Sequence, residues 1–184
     1  MMWTIITIVA VVIIIALIAL AVRAMVRRRR LQQRFGPEYD RTVESKESRR
    51  EAERDLRERQ ERHDSLEIRP LPAAVRDRYA RDWAGVQEHF VDDPDQAVGE
   101  ADRLVTVLMS ERGYPTEGYE QQKRDLSVEH ARTLDHYRVA HDINQRVGGR
   151  DTSTEELRSA MVHYRAMFED LLKSDNDAPG DDRR

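Results

Sequence analysis

VRDRYARDWAGVQEHFVDDPDQAVGEADRLVTVLMSERG, residues 75–113, carries apolar side chains on a helical period and breaks once, at Asp92-Asp93-Pro94. Val75, Tyr79, Trp83, Val86 and Phe90 recur at three- and four-residue spacing, which lays them along one face of a helix. Arg76, Asp77, Arg81 and Glu88 occupy the opposite face. Asp93 as N-cap, Pro94 in the first helical position and Gln96 two residues further on start a second helix. Its stripe is Ala97, Ala101, Leu104, Val105, Leu108 and Met109, and Gly113, with Pro115 just beyond, stops it. Two amphipathic helices joined by one tight break predict an all-α packed region.

The pattern continues toward the C-terminus. Residues 113–124 read as a looser connection. A third helix is expected over about 126–147, with Val128, Ala131, Leu134, Tyr137, Ala140 and Ile143 spread round much of its cylinder and Gly148-Gly149 ending it. Ser153 and Glu156 form a capping-box signature for a fourth helix, in which Leu157, Ala160, Met161, Tyr164, Phe168 and Leu171 recur at helical spacing. Residues 71–173 thus predict a small antiparallel four-helix domain, and the polar residues 174–184 a disordered tail.

Toward the N-terminus the chain changes character twice. Residues 42–63 favour helix but hold few apolar side chains: Val43, Ala52 and Leu56. Glu53 and Arg57, Asp55 and Arg59, and Glu58 and Arg62 are spaced to pair along a helix surface, each pair adding about 0.2–0.5 kcal/mol. Residues 42–70 therefore read as a charged helical spacer, roughly 30 Å long over its helical part, with partial disorder as the alternative. Residues 23–41 read as a basic juxtamembrane linker, interrupted at Phe35-Gly36-Pro37. From Thr4 to Val22 no side chain is charged, and a run of that length is what a helix needs to span the hydrocarbon layer. Residues 1–22 are expected to form a transmembrane anchor with Trp3 at the headgroup boundary.

Arg23, Arg27, Arg28, Arg29, Arg30 and Arg34 follow the apolar run, and no basic side chain precedes it. By the positive-inside rule the N-terminus faces outward and the bulk of the chain is cytoplasmic, in a single-pass membrane protein. The same arginines would attract anionic lipid headgroups. A cleavable signal peptide competes with this reading, because Ala19-Leu20-Ala21 has the small-x-small form. The acid–base balance of the 184-residue chain, net −4, argues against a nucleic-acid binder. With no cysteine, disulfides and thiolate metal sites are excluded.

The residues that could carry chemistry form no known catalytic pattern. His130, His136 and His141 share one expected helix at spacings of six and five, which do not stack as helical metal ligands do, and they read as surface or boundary residues. Asp175, Asp177 and Gly180 lack the rest of a calcium loop. No phosphate-binding glycine loop or nucleophile elbow occurs. No catalytic, cofactor-binding or metal-binding residue is assigned, and no cofactor is expected. Tyr79, Trp83 and Phe90 are a candidate partner face, but core packing is the default reading, because their spacing is what a buried face requires.

RFGPEYDRTV (34–43) and RYARDWAGVQEHFVDDPDQAVGEADRLVTVLMSERGYP (78–115) resemble a family of uncharacterised single-pass, largely helical membrane proteins of actinobacteria and other GC-rich bacteria. The resemblance covers about half of the chain and implies the architecture alone, with no activity and no site residue to carry over. The expectation is a non-enzymatic, membrane-tethered cytoplasmic helical interaction or scaffold module, its partner another protein or a second copy of itself. The alternatives are a small-ligand sensor or enzyme with a site in the bundle, and an envelope-side protein released from a signal peptide.

Overall fold

The computed structural model describes residues 2–147 and 152–173, and for residues 2 and 4–11 the backbone alone. Among the described residues the chain is all-α, with eight helices and no strand. They are α1 (Met2–Phe35), α2 (Pro37–Ser45), α3 (Arg49–Asp64), α4 (Ala73–Asp92), α5 (Pro94–Arg112), α6 (Tyr119–Leu126), α7 (Leu134–Arg146) and α8 (Thr154–Leu172). Two compact units divide within α3, at residues 57 and 58.

In the first unit α1 packs on α2. Gly36 makes the corner at φ +46°, and Pro37 opens α2 where a missing N–H costs nothing. Leu31, Phe35, Tyr39, Ala52 and Leu56 are buried, and Tyr39 Oη donates to Glu53 Oε1 at 3.0 Å. The region expected as one charged, solvated helix is thus two helices broken at 46–48, with Ala52 and Leu56 buried and Val43 half-buried. Three apolar side chains are too sparse to show a stripe.

Among the described residues no helix is long and apolar enough to cross a membrane. The side chains of residues 4–11, which make up eight of the nineteen positions of the expected span, lie outside the described residues. The transmembrane expectation is therefore not established by the described chain. Gly148-Gly149 and the tail from Ser174 onward also lie outside the described residues.

The second unit is a helical bundle centred on α5, which packs against α4, α7 and α8, while α7 packs on α8. Ion pairs give the directions. His89 near the end of α4 meets Glu100 near the start of α5 at 2.9 Å, and Arg78 faces Glu111 at 3.8 Å, so the two helices run antiparallel. Arg146 at the end of α7 meets Glu156 at the start of α8 at 3.0 Å, so this pair is antiparallel too.

The capping signals are realised. Asp93 accepts from the Gln96 backbone N–H, Gly113 closes α5 in the left-handed region at φ +97°, and Ser153 and Glu156 complete a reciprocal capping box. The buried stripe of α8 contains every position expected of it, plus Met167.

Two expectations in the middle of the domain need correction. The short helix α6 starts within the expected connection, at Tyr119, and α7 starts at Leu134 rather than near 126. Val128 and Ala131 are buried as expected, but in a run of turns across 127–133 that also buries Ser127 and His130. Ser127 Oγ donates to the Arg124 carbonyl at 2.6 Å, and Thr133 Oγ1 stands 3.1 Å from the His130 carbonyl. Short hydroxyl side chains that bond nearby backbone offer the chain an alternative to continuous helix.

Candidate functional site

The end of the bundle where α5 and α8 both finish gathers a set of ionisable side chains from several segments. Gly113 allows the chain to leave α5 beside residues 65–69. A Cβ at that position would lie 2.4 Å from the Glu67 carbonyl oxygen, and the Arg69 N–H donates to the Arg112 carbonyl at 3.0 Å. Arg112 is itself buried and donates through Nη1 to the Leu171 carbonyl at 3.1 Å, which places a cation on the orphan carbonyls ending α8.

Two imidazoles face two carboxylates here, across Tyr114. His63, from the last turn of α3, brings Nε2 to 3.6 Å from Glu129 Oε1, and Tyr114 Oη donates to Glu129 Oε2 at 2.9 Å. His130 Nδ1 donates to Asp170 Oδ2 at 2.8 Å, and Thr133 Oγ1 donates to the same oxygen at 2.7 Å. The Tyr114 ring lies 6.1 Å from His63 and 5.8 Å, edge-on, from His130. His63 and His130 are both buried, which corrects the reading of His130 as a surface or boundary residue.

The His63 imidazole and the Tyr114 hydroxyl together hold the Glu129 carboxyl down at about 2, against the opposing effect of burial. Since 3.6 Å exceeds hydrogen-bond length, the Tyr114 bond is the firmer of the two anchors. Burial alone would raise Asp170, yet the bonds from His130 and Thr133 outweigh it and hold this carboxyl also at about 2. Carboxylates so stabilised stay ionised throughout the neutral range and are poor proton acceptors there. Thr133 gives its hydrogen to Asp170 and not to a base, so the geometry does not activate it as a nucleophile. The arrangement joins the end of α3, the 113–118 segment, the 127–133 turns and the end of α8, and what it does is hold them together.

A second polar layer lies in mid-bundle. Tyr164 Oη donates to Asp102 Oδ1 at 2.7 Å, His141 Nδ1 stands 3.4 Å from the same oxygen, and Tyr119 stacks on His141 with ring centroids 3.8 Å apart. Burial, reinforced by charge from nearby carboxylates, pushes the Tyr119 hydroxyl up to about 12 and raises those of Tyr137 and Tyr164 as well. All three hydroxyls stay protonated at neutral pH, and Tyr137 Oη donates to Gln122 Oε1 at 2.9 Å as Tyr164 does to Asp102.

None of the residues singled out in the sequence as headgroup contacts or partner face belongs to this set. Trp3 is 80% exposed on α1, where Arg23, Arg27, Arg29, Arg30 and Arg34 are exposed and Arg28 is half-buried. Tyr79 and Trp83 are buried, Trp83 stacking on Phe168 at 4.8 Å, so they belong to the core and form no open partner face. Phe90 is half-buried. It lines a groove of about 210 Å³ between α4 and α8 with Gln87, Met161, Val162 and the edge of Trp83, flanked by Arg158 and Arg165.

Sequence reasoning missed His63, Tyr114, Glu129 and Asp170 as a set. His130 beside Glu129 was the one visible signal, and their partners stand up to 66 positions away, beyond any local spacing rule. Among the described residues no group of three His, Asp or Glu side chains is arranged to hold a metal ion. Compared with known proteins, the chain matches no family model, no curated protein and no solved structure.

Proposed function

We propose that this chain is a membrane-tethered helical interaction module, anchored by residues 4–22 and presenting its α4–α8 bundle to a protein partner in the cytoplasm. One observation carries the tether. The described part of the apolar run, Val12 to Val22, is exposed along α1, with Ile15 at 60% and Leu20 at 63%. Eight of those eleven side chains are Val, Ile or Leu, and covering each stabilises by about 1.5–3 kcal/mol. A lipid layer supplies that cover. The uncharged positions 4–11 extend the run to the length a span requires, and the arginines from Arg23 onward favour the cytoplasmic side. The same arginines would contact anionic headgroups.

The interaction half draws support from the α4–α8 groove, where Phe90 and the 63% exposed Val162 offer an apolar seat between Arg158 and Arg165. A partner with an apolar side chain flanked by acids suits that seat. The test of the tether is alkaline extraction of membranes from cells making the full chain or a version lacking residues 2–22. Retention of the full chain at its uncleaved mass, with release of the truncated one, is expected. Release of both, or a mature protein beginning near residue 22, contradicts the tether. A photo-crosslinking residue at Val162 tests the interaction half. The expected product is an adduct with one protein species, lost when Phe90 is changed to Ala. An adduct indifferent to Phe90→Ala, or none, counts against the groove.

A further inference from the structure

Outside the end of the bundle, one pair of side chains is placed as ligands are. His136, on the first turn of α7, and His163, midway along α8, point their Nδ1 atoms at each other 2.7 Å apart, with ring centroids 5.0 Å apart and planes at 40°. We propose that His136 and His163 form a two-histidine chelate across α7 and α8 that binds a divalent transition metal, Zn²⁺ or Cu²⁺, with water completing its coordination.

The chemistry of the contact points this way. Two neutral imidazoles can meet Nδ1 to Nδ1 only if one carries the hydrogen there and the other offers its lone pair. Imidazole suits zinc and copper, and copper is the tighter of the two. Metal–nitrogen bonds of about 2.0–2.1 Å at a tetrahedral angle place the two nitrogens about 3.3 Å apart. The pair needs to open by about 0.6 Å from its present separation, which half-exposed side chains on two neighbouring helices accomplish by small torsional changes. When the metal takes both lone pairs, the hydrogen of the donor ring moves to its own Nε2, so each imidazole remains neutral and no net proton is released. Burial first, and the neighbouring His136 second, lower the pKa of His163, which keeps its lone pair available at neutral pH.

The nearby carboxylates have other partners. Asp135 accepts from Arg138 at 2.8 Å, and Asp170 accepts from His130 and Thr133. That leaves a bidentate site, accessible from solvent and lying on the antiparallel α7–α8 contact. A metal there would pin the two helices together.

The experiment is calorimetric titration of the untagged full chain in detergent with ZnCl₂ and, separately, CuCl₂. It is run on wild type, His136→Gln, His163→Gln and, as a control that leaves the pair intact, His89→Gln. Melting without metal checks that each variant is folded. One metal per wild-type chain is expected, weakened at least about tenfold in either pair variant and unchanged in the control. The Cu²⁺ complex should show two-nitrogen hyperfine structure by electron paramagnetic resonance, and Zn²⁺ should raise the Tm of wild type and control only. No stoichiometric binding by wild type overturns the proposal. So does binding that survives in both pair variants, or binding that disappears in the control. If one pair variant does not fold, the other decides the question, since each removes one of only two ligands.

Discussion

Asp170→Asn is the sharpest probe of how the end of the bundle is held. In the wild type one carboxylate oxygen accepts from His130 at 2.8 Å and from Thr133 at 2.7 Å, and the carboxyl is held at about 2 instead of the usual 3.8. At about 1.36 kcal/mol per tenfold change in proton affinity, that difference corresponds to at most roughly 2.4 kcal/mol of folding stability. The side chain is 23% exposed, and solvent screening brings the expected value to about 1–2 kcal/mol. Because the folded carboxyl is the stronger acid, its contribution is complete above about pH 5 and disappears as pH falls toward 2. Chemical denaturation of wild type and Asp170→Asn in detergent at several pH values measures it. The variant should be less stable by about 1–2 kcal/mol at pH 7, and the gap should shrink steadily below pH 4. An equal stability at pH 7, or a gap that stays constant down to pH 2, would refute the reasoning.

Three further substitutions test the packing around this end. Gly113→Ala forces a side chain into the left-handed region, at about 1–2 kcal/mol, and sets its Cβ against the Glu67 carbonyl at 2.4 Å. Thermal melting should show a loss of at least about 2 kcal/mol, and an unchanged Tm would contradict the close approach. Ser153→Ala removes the capping box of α8 and should cost about 1 kcal/mol by the same measurement, while Ser153→Asn should recover most of it. Trp83→Ala removes the ring stacked on Phe168 and should cost about 3–5 kcal/mol, which near-ultraviolet circular dichroism and denaturation report together. A loss below about 1 kcal/mol would return Trp83 to the surface.

How far the sequence carried depended on whether the signal was local. α4, α5 and α8 are legible because caps and stripes lie within one helix: Asp93-Pro94, Gly113, Ser153 with Glu156. The turns at 127–133 were not legible. Val128 and Ala131 have the spacing of a helical stripe, and only their burial among hydroxyl-to-backbone bonds shows that the chain coils there differently. Residues 42–63 misled in the opposite direction, since charges at pairing distance mask the burial of Ala52 and Leu56. Tyr79 and Trp83 were correctly placed on one face, but spacing does not say whether a face meets a partner or the chain's own α8. The His63–Glu129 and His130–Asp170 pairs depend on contacts between distant segments, which no periodicity encodes.

The central claim is a bundle tethered to the membrane on its cytoplasmic side, and Ser110→Cys measures it most directly. The chain has no cysteine and Ser110 is exposed on α5, so the substitution creates a unique thiol on the bundle. Intact cells are treated with a membrane-impermeant thiol reagent, and a second sample is treated after lysis. Labelling only after lysis, with the chain at full mass in the membrane fraction, is the predicted result. Labelling in intact cells would contradict the account and place the bundle on the envelope side.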